Sequence, residues 1–128
     1  MHAVDTNVLV RLLTGDDVEQ TKRAAAHFKK TIFIPKTVLL ETEWVLRRLY
    51  RLERKAVVSA FRKVSGLANV EIENPLAVTQ ALQWCDGGMD FADALHLASS
   101  HAREKFATFD AQLKKSASKE IKPSILLL

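Results

Sequence analysis

The stretch AVDTNVLV, residues 3–10, decides how the N-terminus folds. Its polar triplet Asp5–Asn7 separates two apolar runs, a pattern typical of a short strand that ends in a turn and is followed by a helix. A strand that is apolar on both faces lies inside a sheet, where an acid is costly to bury without a partner or a metal. The stretch therefore predicts a buried strand that carries Asp5 at its end.

Outward from this stretch, strands and helices alternate to the C-terminus. The predicted helices cover Asp16–Lys30, Thr37 to Tyr50 or Leu52, Lys55–Leu67, Pro75–Asp86, Asp90–Arg103 and Ala111–Ser116. The predicted strands cover Ile32–Pro35, Asn69–Glu73, Phe106–Phe109 and Ser124–Leu128. Thr37 is predicted to cap the longest helix. This order favours an α/β fold, a three-layer sandwich with a central, mostly parallel sheet flanked by helices.

Composition excludes several classes of protein. With 128 residues, the chain is predicted to form one domain, 1–128, and 48% hydrophobic with 27% charged residues is typical of a folded globular protein. The lone cysteine, Cys85, excludes an internal disulfide and favours the reducing cytoplasm, and we expect it to be a buried apolar residue. No apolar run is long enough to span a membrane, and the N-terminus lacks the pattern of a signal peptide.

Positive charge is concentrated in one part of the chain. The net charge is +4, but residues 47–63 contain seven cations and one anion, so the remainder is slightly negative. Arg47, Arg48 and Arg51 lie at the start of this segment. The concentration favours a polyanionic partner, with an ordinary solvated helix face as the alternative.

Four acids are predicted to lie at one edge of the sheet. Asp5 and Asp110 each follow a strand, and ligands of open parallel sheets bind beyond the carboxyl ends of the strands. Glu41 and Asp93 fall in the first turns of helices that begin at that same edge. Such carboxylates repel one another unless a cation neutralises them, and oxygen ligands select Mg²⁺ or Mn²⁺. The chemistry indicated is metal-assisted hydrolysis of a phosphodiester.

Each acid taken singly also has a structural explanation. Asp90 is a suitable helix cap with Asp93 favouring the helix dipole, Asp110 is placed to cap the helix that follows it, and Glu41 can pair with Lys36 or Arg48. The combination of the four favours a metal site over these separate explanations.

Four motifs in order along the chain resemble the PIN domain family, and within it the VapC-like toxic ribonucleases of toxin–antitoxin pairs. The motifs are Val4–Leu9 (VDTNVL), Val38–Leu46 (VLLETEWVL), Asp90–Ala98 (DFADALHLA) and Ala107–Asp110 (ATFD). The resemblance covers nearly the whole chain.

The resemblance implies both a site and partners. It makes Asp5, Glu41, Asp93 and Asp110 the catalytic acids that hold Mg²⁺ or Mn²⁺ and cleave RNA, with Asp5 and Asp93 as the principal ligands. Thr6 and Asn7 would support the first aspartate, and Asp90 either faces the same cleft or, as we favour, caps its helix. It also implies a homodimer and a cognate VapB-like antitoxin. Independently of the resemblance, the positive charge of Arg47, Arg48 and Arg51 leads us to expect that they guide RNA phosphates to the acids, which would otherwise repel a polyanion.

Other features of the sequence keep alternatives open. The fold can serve as a catalytically inactive module that binds proteins, which metal binding would distinguish from a nuclease. A phosphotransfer domain fits less well, because Asp5 is not followed closely by a second aspartate. His96 and His101 are expected to have packing or surface roles. Trp44 lies opposite Thr42 on its helix and is expected to meet a partner, unless the helix Lys55–Leu67 covers it.

Overall fold

The polar triplet begins a helix almost directly after the first strand. In a computed structural model of the protein, which describes residues 1–117 and 120–128, β1 covers His2–Ala3 and α1 covers Thr6–Thr14. Asp5 caps α1, since its side chain accepts a hydrogen bond from the Val8 N–H at 3.1 Å. The prediction of a buried strand is wrong here: both residues of β1 are exposed because β1 is an edge strand, and Asp5 itself is exposed.

The chain divides into two units, Met1–Pro75 and Leu76–Leu128. After α1, the first unit continues with α2 (Val18–His27), β2 (Ile32–Ile34), α3 (Lys36–Arg48), α4 (Arg54–Ser65) and β3 (Val70–Ile72). Its three strands form a parallel sheet in the order β1-β2-β3, with Ile32 of β2 opposite His2 on one side and Val70 on the other. Ile32 and Ile34 of the middle strand are fully buried.

Helix α3 carries one buried face, formed by Leu39, Thr42, Glu43 and Leu46. Thr37 does not cap it, contrary to the prediction, because the helix begins at Lys36 with Pro35 in the extended conformation of a cap residue. Burying a leucine of this kind contributes roughly 2 kcal/mol to folding, so apolar contacts hold α3 against the rest of its unit. The orientation of α3 in its unit therefore depends on how this buried face packs.

The second unit contains α5 (Pro75–Asp86), α6 (Phe91–Ser99), β4 (Lys105–Thr108), α7 (Ala111–Ser116) and β5 (Ser124–Leu127). Gly88 has φ +117, a conformation that side chains other than glycine rarely adopt, and it separates α5 from α6. Strands β4 and β5 pair in parallel, with Lys105 opposite Ser124 and Thr108 opposite Leu127. Cys85 is buried in α5, which confirms the prediction for this residue.

The structure confirms an α/β protein with parallel strands. Among residues 1–117 and 120–128, the strands pair in two small sheets, one in each unit, so the three-layer sandwich around a single sheet remains a prediction. Helix ends differ from the predicted ones by a few residues, most at α6, which ends at Ser99 rather than Arg103. No helix in the described part of the chain is both long and apolar enough to cross a bilayer.

Candidate functional site

Two of the four predicted acids share a pocket in the first unit. The pocket has a volume of about 700 Å³ and lies between α1 and α3. Asp5 and Glu41 both line it, together with the other two members of the polar triplet, Thr6 and Asn7. Both acids are exposed. The structure therefore brings Asp5 and Glu41 to one concave surface.

A hydrogen bond joins the two helices at this end of the pocket. Thr6, the first residue of α1, donates its hydroxyl hydrogen to Glu41 Oε1 on α3. We expected Thr6 to support Asp5, and its hydroxyl instead positions the Glu41 carboxylate. Asn7 lines the pocket, and its supporting role stays a prediction.

Asp5 is also fixed by the backbone. One carboxylate oxygen, Oδ1, accepts the Val8 N–H, and Oδ2 accepts no hydrogen bond from the residues that the structure describes. Asp5 lines a second pocket of about 630 Å³ as well, which shares Asn7 and Arg11 with the first. The carboxylate is thus oriented by a helix cap while one oxygen stays available to a ligand.

A network at the other end of the first pocket was not predicted. Arg11 Nη1 donates to Asp16 Oδ1 at 2.9 Å and to the Tyr50 hydroxyl at 3.1 Å, and Tyr50 in turn donates to Asp16 Oδ2. The hydrogen bond from Tyr50 is the main cause that lowers the pKa of Asp16, with further contributions from Thr14 and Arg11. Nothing in the sequence signals this network, because Tyr50 is 34 residues from Asp16.

The other two predicted acids lie in the second unit, where their charges interact. Burial raises the pKa of Asp93 above its ordinary value, and the charges of Asp90 and Asp110 raise it further, with His96 acting in the opposite direction. Asp93 is half-buried, whereas Asp110 is exposed. Three acids here therefore produce a negative potential that a bound cation would relieve.

Two of these acids are helix caps, as the alternative explanation anticipated. Asp90 accepts the Asp93 N–H at 3.4 Å, which confirms the favoured cap. Asp110 Oδ1 accepts two N–H groups, from Gln112 at 2.9 Å and from Leu113 at 3.1 Å. A cap does not exclude a second role, because each carboxylate has two oxygens.

The donor set has the chemistry of a magnesium or manganese site. Carboxylate oxygens are the ligands that these hard cations prefer, and Asp93 has the electrostatic surroundings that favour a cation. Within residues 1–117 and 120–128, no group of three or more His, Cys, Asp or Glu side chains is arranged to hold a metal ion. The residues fit the cation in type and charge, while the set of ligands remains a prediction.

The cationic residues of α3 differ from one another in their surroundings. Arg47 forms an ion pair with Glu43, which is only 3% exposed. The charge of Arg47 therefore mainly neutralises a buried carboxylate. Arg48 and Arg51 are exposed. The burial of Glu43 was not predicted, although its spacing of four residues from Arg47 is the signal of a helical ion pair.

Trp44, His96 and His101 all lie at the surface of the protein. Trp44 is 51% exposed, so α4 does not cover it. His96 and His101 are exposed, in line with the expected surface roles. His2 and His27 form a contact that was not predicted, since their rings stack at 5.0 Å between centroids.

Comparison with known proteins identifies one family. The profile of the PIN domain matches residues 3–119, a range that contains all four predicted acids and parts of both units. No curated protein and no solved structure matches the chain.

Proposed function

The chain belongs to the PIN domain family, and on this premise we propose that it is an endoribonuclease dependent on Mg²⁺ or Mn²⁺, the VapC-like toxin of a toxin–antitoxin pair. PIN domains are generally nucleases, and membership supports action on nucleic acid. RNA as the substrate, the metal and the role of toxin are parts of the proposal. The proposed catalytic and metal-binding residues are Asp5, Glu41, Asp93 and Asp110.

The observation that carries the proposal is the half-buried position of Asp93 within reach of the charges of Asp90 and Asp110. A half-buried carboxyl group close to Asp90 and Asp110 is unfavourable as an anion unless a cation is present. In a purely structural role, Asp93 gains from its charge only through the dipole of α6, in whose first turn it lies. A nuclease that binds a divalent cation makes use of that negative potential.

The side chains in the first unit support an ordered site. The Asp5 carboxylate is held by the α1 backbone, and the Glu41 carboxylate is held by the Thr6 hydroxyl, so neither rotates freely. When bound, a divalent cation activates water for attack on the phosphate and stabilises charge on the leaving oxygen. The protein residues contribute orientation, because a nucleophile and a phosphate react fastest when their geometry is fixed in advance.

The test is cleavage of total cellular RNA by the purified protein, freed of any bound protein partner. We expect discrete products with Mg²⁺ or Mn²⁺, none with EDTA, and loss of cleavage in Asp5→Asn and Asp93→Asn. Asp17→Asn is a matched control, because Asp17 caps α2 through the Gln20 N–H as Asp5 caps α1, and asparagine caps equally well. Cleavage that survives Asp5→Asn, or that ignores EDTA, contradicts the proposal.

The partners belong to the proposal as well. A homodimer and a VapB-like antitoxin would account for the exposure of Trp44, since an apolar side chain on α3 gains from being covered. Light scattering of the isolated protein tests the dimer, and Trp44→Lys is expected to weaken it if α3 forms the interface. An inactive module that binds proteins becomes the better explanation if the protein associates but binds no metal and cuts no RNA.

The proposed setting is the cytoplasm, with residues 1–128 acting as one nuclease domain. The buried thiol of Cys85 agrees with a reducing compartment, where a free cysteine is stable.

A further inference from the structure

The pocket between α1 and α3 extends well beyond the two acids. Its apolar wall is formed by Val10, Val38, Val45 and Leu49, and Tyr50 closes the end farther along both helices. A volume of about 700 Å³ is within the range of sites that hold a small organic group. Six of the eleven lining residues are polar or charged, and the aliphatic wall with its one aromatic residue suits a flat, mostly apolar group beside them.

The charge at the Tyr50 end of the pocket is already compensated. Arg11 is the cation there, and its guanidinium donates to Asp16, which also accepts the Tyr50 hydroxyl. A paired guanidinium attracts a phosphate weakly, so this end favours an uncharged group. The acids Asp5 and Glu41 lie at the opposite end, where the proposed reaction at a phosphate takes place.

Tyr50 is held in one orientation. Its hydroxyl accepts from Arg11 and donates to Asp16, and its backbone N–H bonds to the Val45 carbonyl. A ring that is fixed before binding loses little side-chain entropy when a ligand stacks on it. Nucleobases stack on such rings, and single-stranded RNA offers bases that are not paired.

We propose that this pocket, the α1–α3 pocket, binds one unstacked base of single-stranded RNA against Tyr50, next to the phosphate at Asp5 and Glu41. The inference rests on the proposed function and adds to it a residue that holds one base of the substrate beside the reacting phosphate. Val45 and Leu49 form the side walls for the base, and Tyr50 contributes its ring rather than its hydroxyl. The pocket therefore favours unpaired RNA over a duplex.

The test measures binding apart from cleavage. Fluorescence anisotropy in EDTA follows labelled single-stranded oligouridylate and oligoadenylate, and a paired duplex serves as the comparison. We expect Tyr50→Ala to weaken binding of the single strands by about 5- to 100-fold, the loss typical of one base on an aromatic ring. Tyr50→Phe, which keeps the ring and removes the hydroxyl, is expected to bind within about threefold of the wild type. Leu67→Ala, at an exposed leucine outside the pocket, is the control.

An abasic substrate separates stacking from a loss of structure. The series consists of short RNAs, each of which lacks the base at one position. We expect one of these RNAs to bind the wild-type protein as weakly as the intact RNA binds Tyr50→Ala. At that position Tyr50→Ala should cause no further loss. A simple unfolding effect would instead weaken the binding of every RNA in the series.

The outcomes distinguish this inference from the proposed function. One outcome overturns the inference and leaves the proposed nuclease intact. In that outcome cleavage depends on metal, but RNA binding is unchanged in Tyr50→Ala and at every abasic position. Binding that depends on Tyr50 and on one base, in a protein that never cleaves RNA, supports the pocket and overturns the nuclease. Equal loss of binding in Tyr50→Phe and Tyr50→Ala also overturns the inference, because the ring would then contribute nothing.

Discussion

The Thr6 hydroxyl donates a hydrogen bond to the Glu41 carboxylate, and this contact ties the first residue of α1 to α3 across 35 residues of sequence. Thr6 directly follows Asp5, which caps the same helix. The first turn of α1 therefore positions both predicted site acids of the first unit: Asp5 through the cap and Glu41 through the Thr6 hydroxyl. The polar triplet thus contains one of these carboxylates, that of Asp5, and holds the other, that of Glu41, through Thr6.

Loss of the Thr6 hydroxyl is expected to slow cleavage without preventing folding. Thr6→Val removes the hydrogen bond and frees Glu41 to rotate, which should lower kcat by about 10-fold, because small errors in the position of a reacting group have large effects on rate. Thr6→Ser keeps the hydroxyl and should retain most of the activity. The measurement is single-turnover RNA cleavage at saturating Mg²⁺. Equal rates for Thr6→Val and the wild type would show that Glu41 does not need this contact.

Asp93→Asn is expected to stabilise the protein while it removes activity. The raised pKa means that the folded state holds the Asp93 proton more tightly than the unfolded state does, so stability falls as the pH rises from the ordinary value of 3.8 through the raised one. The ionised carboxylate therefore destabilises the metal-free fold at neutral pH. Thermal unfolding in EDTA should give Asp93→Asn the higher Tm at pH 7, and the difference should shrink at pH 3. A lower Tm for the variant at pH 7 would contradict the electrostatic account.

Substitutions at Asp90 distinguish a helix cap from a metal ligand. Asp90→Ser keeps a side-chain acceptor for the Asp93 N–H, so it should fold and cleave RNA like the wild type. Asp90→Ala loses the cap and should lower the free energy of unfolding by about 1 kcal/mol. Urea unfolding and RNA cleavage are measured on both. If Asp90→Ser folds normally yet loses as much activity as Asp93→Asn, Asp90 belongs to the catalytic set.

Arg47 is expected to be essential to the fold, in contrast to its neighbours. Arg47→Ala leaves the buried Glu43 carboxylate without its ion pair and should cost about 3 kcal/mol of stability. Arg48→Gln and Arg51→Gln change exposed side chains and should alter stability by less than about 0.5 kcal/mol. If these two arginines guide RNA, the double variant should bind RNA more weakly and reduce the slope of binding against salt concentration by about 1–2. An unchanged slope would exclude them from RNA binding.

The hydrogen bonds around Asp16 are expected to make the stability of the fold depend on pH. The pKa of Asp16 is lowered in the folded state, so its contribution to stability is present above the ordinary value of 3.8 and is lost as the pH falls through the lowered pKa. Tyr50→Phe removes the main cause of that shift. NMR titration of the Asp16 carboxyl should show a higher pKa in Tyr50→Phe than in the wild type. An identical pKa in the two proteins would mean that Tyr50 does not bond to Asp16 in solution.

Features that depend on near neighbours could be predicted from the amino-acid sequence. The alternation of strands and helices, the caps at Asp90 and Asp110, and the family motifs can all be read from residues a few positions apart, because helix periodicity and capping are local. Even Asp5 was correctly placed at the junction of strand and helix, although its cap and its exposure were not predicted.

Contacts between distant residues could be identified only in the folded protein. Thr6 with Glu41, Arg11 with Tyr50 and Tyr50 with Asp16 are separated by 35, 39 and 34 residues, respectively. Which side chains meet at such separations depends on how α1 and α3 pack and on which rotamers that packing permits, and no sequence period encodes either. For the same reason, the pocket that brings Asp5, Glu41 and Tyr50 together became visible only in the folded protein.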